Sequence, residues 1–259
     1  MDLGITGRHA IVAASSKGLG RACAAALARE GVHVVINGRD PARLDATAAD
    51  LRMASDVEVT AVVGDIARDE TRAALLAACP APDIVVTNNG GPPPGRFQDW
   101  TRDDWLGAVD ANLLAAVLLI RDVLDGMVER EFGRIVNVTS AMVMAPLSPM
   151  GLSTAARAGL TGISKALSRD VARHNVTINN LLPERIDTDR QRQMAELACA
   201  VKGITLDEAY AEIAATIAAN RLGTPAEFGD ACAFLCSAQA GYISGQNLHL
   251  DGGSYPGAF

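Results

Sequence analysis

Two serines and an arginine near the middle of the chain have the spacing of a chemical site. The segment "GRIVNVTS" ends at Ser140, and thirteen residues later Ser153 begins a Ser-x-x-x-Arg pair with Arg157. Residues four apart share one face of a helix, so Ser153 and Arg157 can face the same ligand. Hydroxyl and guanidinium groups donate hydrogen bonds, but neither readily gives up a proton near neutral pH. The pattern therefore predicts stabilisation of negative charge that develops on an oxygen atom.

A second candidate site is the glycine-containing segment "AASSKGLG", residues 13–20. It follows an apolar run and precedes the helical pattern "RACAAALAREG", so Gly18 and Gly20 lie where a strand turns into a helix. The start of a helix presents free N–H groups and a positive dipole end to a phosphate, and glycine lets the backbone approach closely. The segment predicts dinucleotide binding, although two glycines alone also fit an ordinary strand–helix turn.

The elements that must position these residues alternate between strand and helix along the whole chain. Continuous apolar strands separated by helices indicate an α/β fold, a doubly wound parallel sheet covered by helices on both faces. We predict one domain over residues 1–259, long helices over 101–131 and 152–174, and a charged helical segment at about 187–220. The seven predicted strands lie in "RHAIVAA", "VHVVING", "VEVTAVVGD", "DIVVTNNG", "GRIVNVTS", "VTINNLL" and "GQNLHLDGG".

Composition excludes several classes of function. The net charge of -7 argues against a nucleic-acid or membrane-surface partner. The chain lacks an apolar run of the roughly 18 residues that span a bilayer, and its N-terminus lacks the pattern of a signal peptide, so we expect a cytoplasmic protein. The five cysteines form no Cys-x-x-Cys pair and the four histidines are scattered, which predicts buried thiols and no metal site.

These motifs together resemble the short-chain dehydrogenase/reductase family over essentially the whole chain, and especially its 3-oxoacyl-carrier-protein reductase-like branch. The resemblance implies a Rossmann fold, an oxidoreductase activity, and a homotetramer in which helices 101–131 and 152–174 pack across an interface. It also implies that the segment at about 187–220 is a substrate lid. The matching positions are residues 13–20 for the glycine turn, Asp65 for adenine binding, 88–91 for Asn-Asn-Ala-Gly, Asn112 and Ser140 for the active site, and 183–188 for Pro-Gly-x-x-x-Thr.

The chain departs from the family pattern at two places. The family's Tyr-x-x-x-Lys is replaced by Ser153 and Arg157, and the three tyrosines all lie far downstream. Ala14 stands at the first glycine of the turn, where a positive φ would cost alanine about 1 kcal/mol. These departures do not abolish the predicted dinucleotide binding, but they require different chemistry where the substrate reacts.

The cofactor is predicted from charge. A carboxylate at the end of the second strand would favour NAD, but Asn37 and Gly38 stand there, followed by Arg39, with Lys17 in the glycine turn. Two cations suit a 2′-phosphate and predict NADPH in preference to NADH; the alternative is that both are merely solvated. The predicted cofactor-binding residues are Ser15, Ser16, Lys17, Gly18, Leu19, Gly20, Asn37, Arg39, Asp65, Ile66, Asn89, Gly90, Gly91, Arg157, Pro183, Ile186 and Thr188.

The predicted function is NADPH-dependent transfer of hydride to a small molecule, with Ser140, Ser153, Arg157 and Asn112 as catalytic residues. The acceptor is an activated, 3-oxoacyl-like carbonyl or a conjugated C=C. Addition to a conjugated C=C needs no immediate proton on oxygen, whereas carbonyl reduction would need a water chain through Asn112. The alternative is a pseudoenzyme or scaffold subunit that binds the cofactor without catalysis.

The start of the lid offers a possible contact with the substrate. Arg185, Arg190 and Arg192 could clamp a carboxylate or phosphate, or they could form a solvated helix face beside their acidic neighbours. The Met and Pro residues of "AMVMAPLSPM" could line an apolar substrate pocket or pack in the core. Sequence alone leaves both pairs of alternatives open.

Overall fold

Seven parallel strands form one sheet in the computed structural model, which describes residues 2–258. Their order is β3-β2-β1-β4-β5-β6-β7, which confirms the predicted doubly wound parallel sheet. The order reverses direction between β1 and β4, and in such sheets ligands bind at the carboxyl ends of the strands beside this point. The strands are β1 His9–Val12, β2 His33–Gly38, β3 Val59–Val63, β4 Ile84–Thr87, β5 Gly133–Val138, β6 Val176–Pro183 and β7 Asn247–Leu250.

Helices cover both faces of this sheet because successive side chains of each strand point to opposite faces. Val12 of β1 packs into a core that includes Leu27 and Phe228, whereas its neighbour Ile11 packs into a second core that includes Leu119. The helices are α1 Gly18–Arg29, α2 Pro41–Ala54, α3 Asp69–Ala78, α4 Arg102–Val109, α5 Ala115–Glu129, α6 Gly151–Val171, α7 Asp189–Lys202, α8 Leu206–Ala215 and α9 Pro225–Cys236.

The long helix predicted over 101–131 is interrupted by one turn of π-helix. Thr101 caps α4 in a capping box with Asp104, as its residue type predicts. The π-helical turn Asp110–Leu114 then separates α4 from α5. Such a turn accommodates an extra residue without disturbing the apolar pattern on either side, so sequence periodicity does not reveal it. It places Asn112 in a buried position.

The segment predicted as helical at about 187–220 forms two helices, α7 and α8. Gly203 ends α7 with a φ of 70°, which glycine adopts without strain. Thr205 and Glu208 then form a capping box that starts α8. Only residues 184–188 separate the end of β6 from α7, so the first turn of α7 lies at the carboxyl end of the sheet.

A row of buried polar side chains ties α6 to the sheet. Thr87 Oγ1 donates to Asn137 Oδ1 at 2.6 Å, and Asn137 Nδ2 donates to Ser164 Oγ at 2.9 Å and to Asn180 Oδ1 at 3.0 Å. Leaving one such buried group unpaired costs about 1–3 kcal/mol. The network therefore fixes the position of α6, the helix that carries the Ser-x-x-x-Arg pair.

Within the described residues, none of the helices combines the length and the apolar character that crossing a membrane requires.

Candidate active site

A cleft of about 480 Å³ opens at the carboxyl ends of the strands. It is bounded by the segments that follow β1, β2, β3, β4, β5 and β6 and by the first turn of α7. A volume of this size is typical of small-molecule and cofactor sites. The predicted residues that line it are Ser16, Lys17, Gly18, Leu19, Asn37, Arg39, Asp65, Ile66, Asn89, Gly90, Gly91, Ser140, Ser153, Arg157, Pro183 and Thr188.

The glycine turn has the backbone geometry that the resemblance implies. Ala14 has a φ of 45° and Gly18 a φ of 56°, so the condition for strain at Ala14 is met. Asn88 Nδ2 donates to the Ala14 carbonyl at 3.1 Å and holds the turn in place. Gly20 does not line the cleft. A Cβ there would lie 2.5 Å from the Ala14 carbonyl oxygen, so this glycine permits close packing of α1 against the turn. Its predicted contact with the cofactor is therefore corrected to a packing role.

Ser15 and Asn37 support the turn with their side chains. Ser15 Oγ donates to the Val12 carbonyl at 2.6 Å and accepts from the backbone N–H of Asn37 at 3.0 Å. Ser15 is fully buried. Asn37 Nδ2 donates to the carbonyls of Val62 and Gly64, each at 3.0 Å. The structure therefore corrects the prediction for Ser15, which is buried outside the cleft lining, whereas Asn37 lines the cleft and its predicted contact with the cofactor stays a prediction.

Ile186 is not among the residues that line the cleft. Its side chain is buried in the core that contains Phe228, and its backbone forms an isolated β-bridge with Gly223. The side chain packs in this core, while the hydrogen bonds of the bridge are formed by the backbone of Arg185 and Asp187. Its neighbours Pro183 and Thr188 line the cleft, and Thr188 Oγ1 caps α7.

Each of the two predicted phosphate-binding cations lies in a weak ion pair. Arg39 Nη1 lies 4.0 Å from Asp65 Oδ2, and Lys17 Nζ lies 3.7 Å from Asp189 Oδ2. All four side chains are more than a third exposed, and exposed pairs of this kind contribute at most about 1 kcal/mol. Both cations can therefore turn toward a phosphate. Together with the free amides at the start of α1, this donor set fits a dinucleotide that carries a 2′-phosphate.

Ser153 and Arg157 lie on the wall of the cleft and contact each other. Arg157 Nη1 donates to Ser153 Oγ, and Nη2 donates to the Asn89 carbonyl at 3.3 Å. Gly91 makes room for the guanidinium, since a Cβ there would lie 3.0 Å from Arg157 Nη1. Ser153 is 2% exposed and Arg157 is 9% exposed. Because Ser153 Oγ accepts from Arg157, its own O–H remains available to a ligand.

The charge of Arg157 has no carboxylate partner among the described residues. Burial, followed by the nearby positive charge of Arg190, lowers the pKa of the Arg157 guanidinium to about 10, so it remains a cation at neutral pH. A buried cation without an anionic partner is costly. An anion that forms or binds in the cleft would compensate this charge.

Ser140 adds a second hydroxyl to the same cleft. Its Oγ accepts from the Met142 amide at 3.2 Å, which leaves the O–H free to donate. In the part of the chain that the structure describes, no tyrosine, histidine or cysteine lines the cleft. Tyr210, for example, donates to Asp187 at 3.1 Å and lies outside the lining. The cleft thus offers hydrogen-bond donors and a cation, but no side chain suited to donate a proton near pH 7.

Asn112 lines a separate cavity of about 20 Å³, which has room for a single water molecule. Arg157 and Asn89 line both this cavity and the cleft. Asn89 Nδ2 donates at 3.0 Å to the carbonyl of Ala111, within the π-helical turn. Asn112 therefore does not line the cleft itself, and it could act on a substrate only through a water in this cavity, so its catalytic role stays a prediction.

The cleft lining differs from the sequence prediction in two respects: it includes Gln193, and it excludes most of the Met and Pro residues in 141–150. Gln193, one turn after Arg190 on α7, lines the cleft with it. The i, i+3 spacing of the two residues was the available signal. Of the Met and Pro residues in 141–150, only Met150 lines this cleft, whereas Met144 lines a different one near the C-terminus.

Comparison with known proteins gives consistent similarities over the whole chain. A family model described as Enoyl-(Acyl carrier protein) reductase matches residues 13–255. The NADPH-dependent reductase BacG of Bacillus subtilis (strain 168) is 32% identical over 253 residues, which cover 95% of this chain and 97% of that protein. The 3-oxoacyl-[acyl-carrier-protein] reductase FabG of Vibrio harveyi is 31% identical over 255 residues, 98% of this chain and 99% of that protein.

Among solved structures, L-sorbose reductase from Gluconobacter frateurii complexed with NADPH and L-sorbose has a TM-score of 0.94. It is 29% identical in sequence, and the match covers 99% of this chain and 100% of that one. The similarity therefore extends to the elements that bound the cleft.

Proposed function

The chain belongs to the short-chain dehydrogenase/reductase family, and from this premise we propose that it is an NADPH-dependent reductase of an activated, 3-oxoacyl-like carbonyl or a conjugated C=C. The observation that carries the proposal is the contact of Arg157 with Ser153 on a cleft wall that lacks a proton-donating side chain. The same observation favours the conjugated C=C over the carbonyl.

NADPH supplies the hydride. Lys17 and Arg39 would bind its 2′-phosphate, and the amides at the start of α1 would hold the diphosphate. Asp65 and Ile66 would contact the adenine, and Asn89, Gly90 and Gly91 would line the path to the reacting end. The names of two similar proteins, the reductase BacG and the L-sorbose reductase complex, state NADPH for those proteins.

Ser140, Ser153 and Arg157 would stabilise negative charge on the substrate oxygen. Arg157 donates to Ser153 Oγ and so polarises the Ser153 hydroxyl toward the cleft. A well-placed donor of this kind is worth about 3 kcal/mol to a developing oxyanion. Arg157 has a second proposed role, contact with the nicotinamide ribose.

The absence of a proton-donating side chain from the cleft supports the conjugated C=C over the carbonyl. When hydride adds to the β-carbon of a conjugated C=C, the electron pair moves to oxygen as an enolate, and the α-carbon takes its proton later from water. Carbonyl reduction places an alkoxide on oxygen, which needs a proton at once. Asn112 would have to relay that proton through the water-sized cavity that it lines with Arg157, and the Arg157 guanidinium does not release a proton near neutral pH.

Residues 1–259 would act as one domain in which α7 and α8 form a lid over the substrate. Thr188, Arg190 and Gln193 line the cleft from this segment. The bridge between Ile186 and Gly223 joins the two ends of the segment at its base. These contacts support a lid that is anchored at both ends and that covers the reacting end of the cleft.

A homotetramer in the cytoplasm completes the proposal. Leu106, Leu114 and Ile163 are exposed on the helical faces that the resemblance assigns to an interface, and exposed apolar side chains on such faces favour association. All five cysteines are free, which fits a reducing compartment.

The proposal is tested with a panel of acceptors: a 3-oxoacyl thioester, a diketone, a quinone and an enone. NADPH binding is first measured by fluorescence titration, and NADPH oxidation is then followed with each acceptor. We expect turnover of the enone to exceed that of the ketones. Cofactor binding without oxidation by any acceptor would contradict the proposal and support the non-catalytic scaffold.

A further inference from the structure

Arg190 differs from the other arginines at the start of the lid. Arg185 Nε lies 4.0 Å from Glu184, and Arg192 Nε lies 3.0 Å from Glu196 Oε1. Among the described residues, Arg190 forms no ion pair. It is exposed and lines the cleft, so its charge is directed at the space that a ligand would occupy.

The carboxylates of the cleft do not neutralise this charge. Asp65 lies beside Arg39, and Asp189 lies beside Lys17. The charge that most affects Arg157 is Arg190, which helps to lower the pKa of the Arg157 guanidinium. Two cations, Arg157 and Arg190, therefore line one cleft, and neither forms an ion pair among the described residues, an arrangement that repels unless a ligand supplies negative charge.

Gln193 extends the same surface. It lies one helical turn after Arg190 on α7 and also lines the cleft. A guanidinium can bind a carboxylate through two parallel hydrogen bonds, and a neighbouring carboxamide can donate a third. The start of α7 thus presents a cation and an amide donor to the cleft.

We propose that Arg190 and Gln193 bind a carboxylate of the substrate, so the substrate is an acid that carries its carboxylate apart from the reacting conjugated carbonyl. The inference rests on the proposed function and deepens it by naming the substrate class. The oxyanion at Ser153 of α6 and the carboxylate at Arg190 of α7 would then occupy the same cleft. The diphosphate of NADPH is the other anion that the cleft would hold, and its proposed place is the start of α1.

The test measures binding without turnover. Calorimetry compares 3-benzoylpropanoate with 3-benzoylpropanamide, which share a ketone and a shape but differ in charge, on the protein saturated with NADP⁺. We expect the acid to bind about 10-fold or more tightly than the amide. Arg190→Gln should abolish this preference and leave the Kd for NADPH within about twofold of the wild-type value.

A matched control is Arg192→Gln, which removes an arginine from the same helix that is already paired with Glu196. It should keep the preference for the acid, and Arg190→Lys should keep part of it. Two outcomes would overturn the inference directly: no preference for the acid in the wild type, or an unchanged preference in Arg190→Gln. A loss of NADPH affinity in Arg190→Gln as large as its loss of affinity for the acid would also overturn it, because that result would assign Arg190 to the diphosphate.

The result is independent of the proposed reaction. A preference for the acid, in a protein that oxidises NADPH with no acceptor of the panel, would support the carboxylate site and contradict the reductase. Enone reduction without a preference for the acid would contradict the carboxylate site alone.

Discussion

Replacing Ala14 by glycine should stabilise the protein, because Ala14 has a backbone conformation that its Cβ disfavours. Its φ is 45°, in the left-handed region. Ala14→Gly removes a steric cost of about 1–2 kcal/mol, while the greater freedom of glycine in the unfolded chain returns about 0.4–1 kcal/mol. With both contributions near the middle of their ranges, the net effect is a stabilisation of about 0.5–1 kcal/mol.

Gly18 in the same turn provides the matched reverse change. Its φ is 56°, and a Cβ built there would meet no atom within 4 Å, so Gly18→Ala changes conformational preference without a clash. The same two contributions then act with opposite sign, and the variant should lose about 0.5–1 kcal/mol.

Urea unfolding of the two variants and the wild type at one protein concentration measures both effects, and Tm should rise or fall by about 1–4 °C. A fixed concentration matters because association would also shift Tm. Destabilisation by Ala14→Gly, or a shift of the same sign in both variants, would refute the assignment of strain to this turn.

Three further predictions concern the cofactor, the pH profile and the turn. Arg39→Ala should weaken NADPH binding about 10- to 100-fold without affecting NADH binding, whereas Arg43→Ala, outside the cleft, should change neither affinity. Fluorescence titration measures both, and an equal loss of affinity for the two cofactors in Arg39→Ala would contradict this prediction. With the pKa of Arg157 lowered only to about 10, kcat should be flat between about pH 6.5 and 8.5, and a titration near pH 7 would reveal an unrecognised acid. Asn37→Ala should cost about 2–3 kcal/mol in urea unfolding, because the carbonyls of Val62 and Gly64 lose their donor, and an unchanged midpoint would contradict this.

The sequence predicted the fold because apolar runs and turn residues report directly on strands and helices. The seven strands and their common edge followed from this pattern, and the four-residue spacing placed Ser153 and Arg157 on one face of α6. Both properties are local, or depend on the general rule that ligands bind at the carboxyl ends of parallel strands.

Side-chain directions in the loops could not be predicted in the same way. The Ser15 hydroxyl bridges the Val12 carbonyl and the Asn37 backbone N–H, and the Asn37 side chain binds carbonyls at the end of β3, so the directions of both side chains depend on how neighbouring strands pair. Asn112 lies behind Arg157 because of a π-helical turn that leaves no trace in the apolar periodicity. The unpaired state of Arg190 depends on which carboxylates neighbouring helices bring close, and only the tertiary structure determines that.

The central claim is that Ser153 and Arg157 stabilise negative charge on the substrate oxygen without donating a proton. The most direct measurement is kcat of Ser153→Ala, Arg157→Ala and the double variant on an enone that the wild type reduces, with NADPH affinity determined for each. Ser153→Ala should lower kcat about 10²- to 10³-fold with unchanged NADPH affinity, and Arg157→Ala should also weaken NADPH binding. Because Arg157 acts partly through Ser153, the double variant should be little slower than the worse single variant. A double variant that retains full activity would contradict the account.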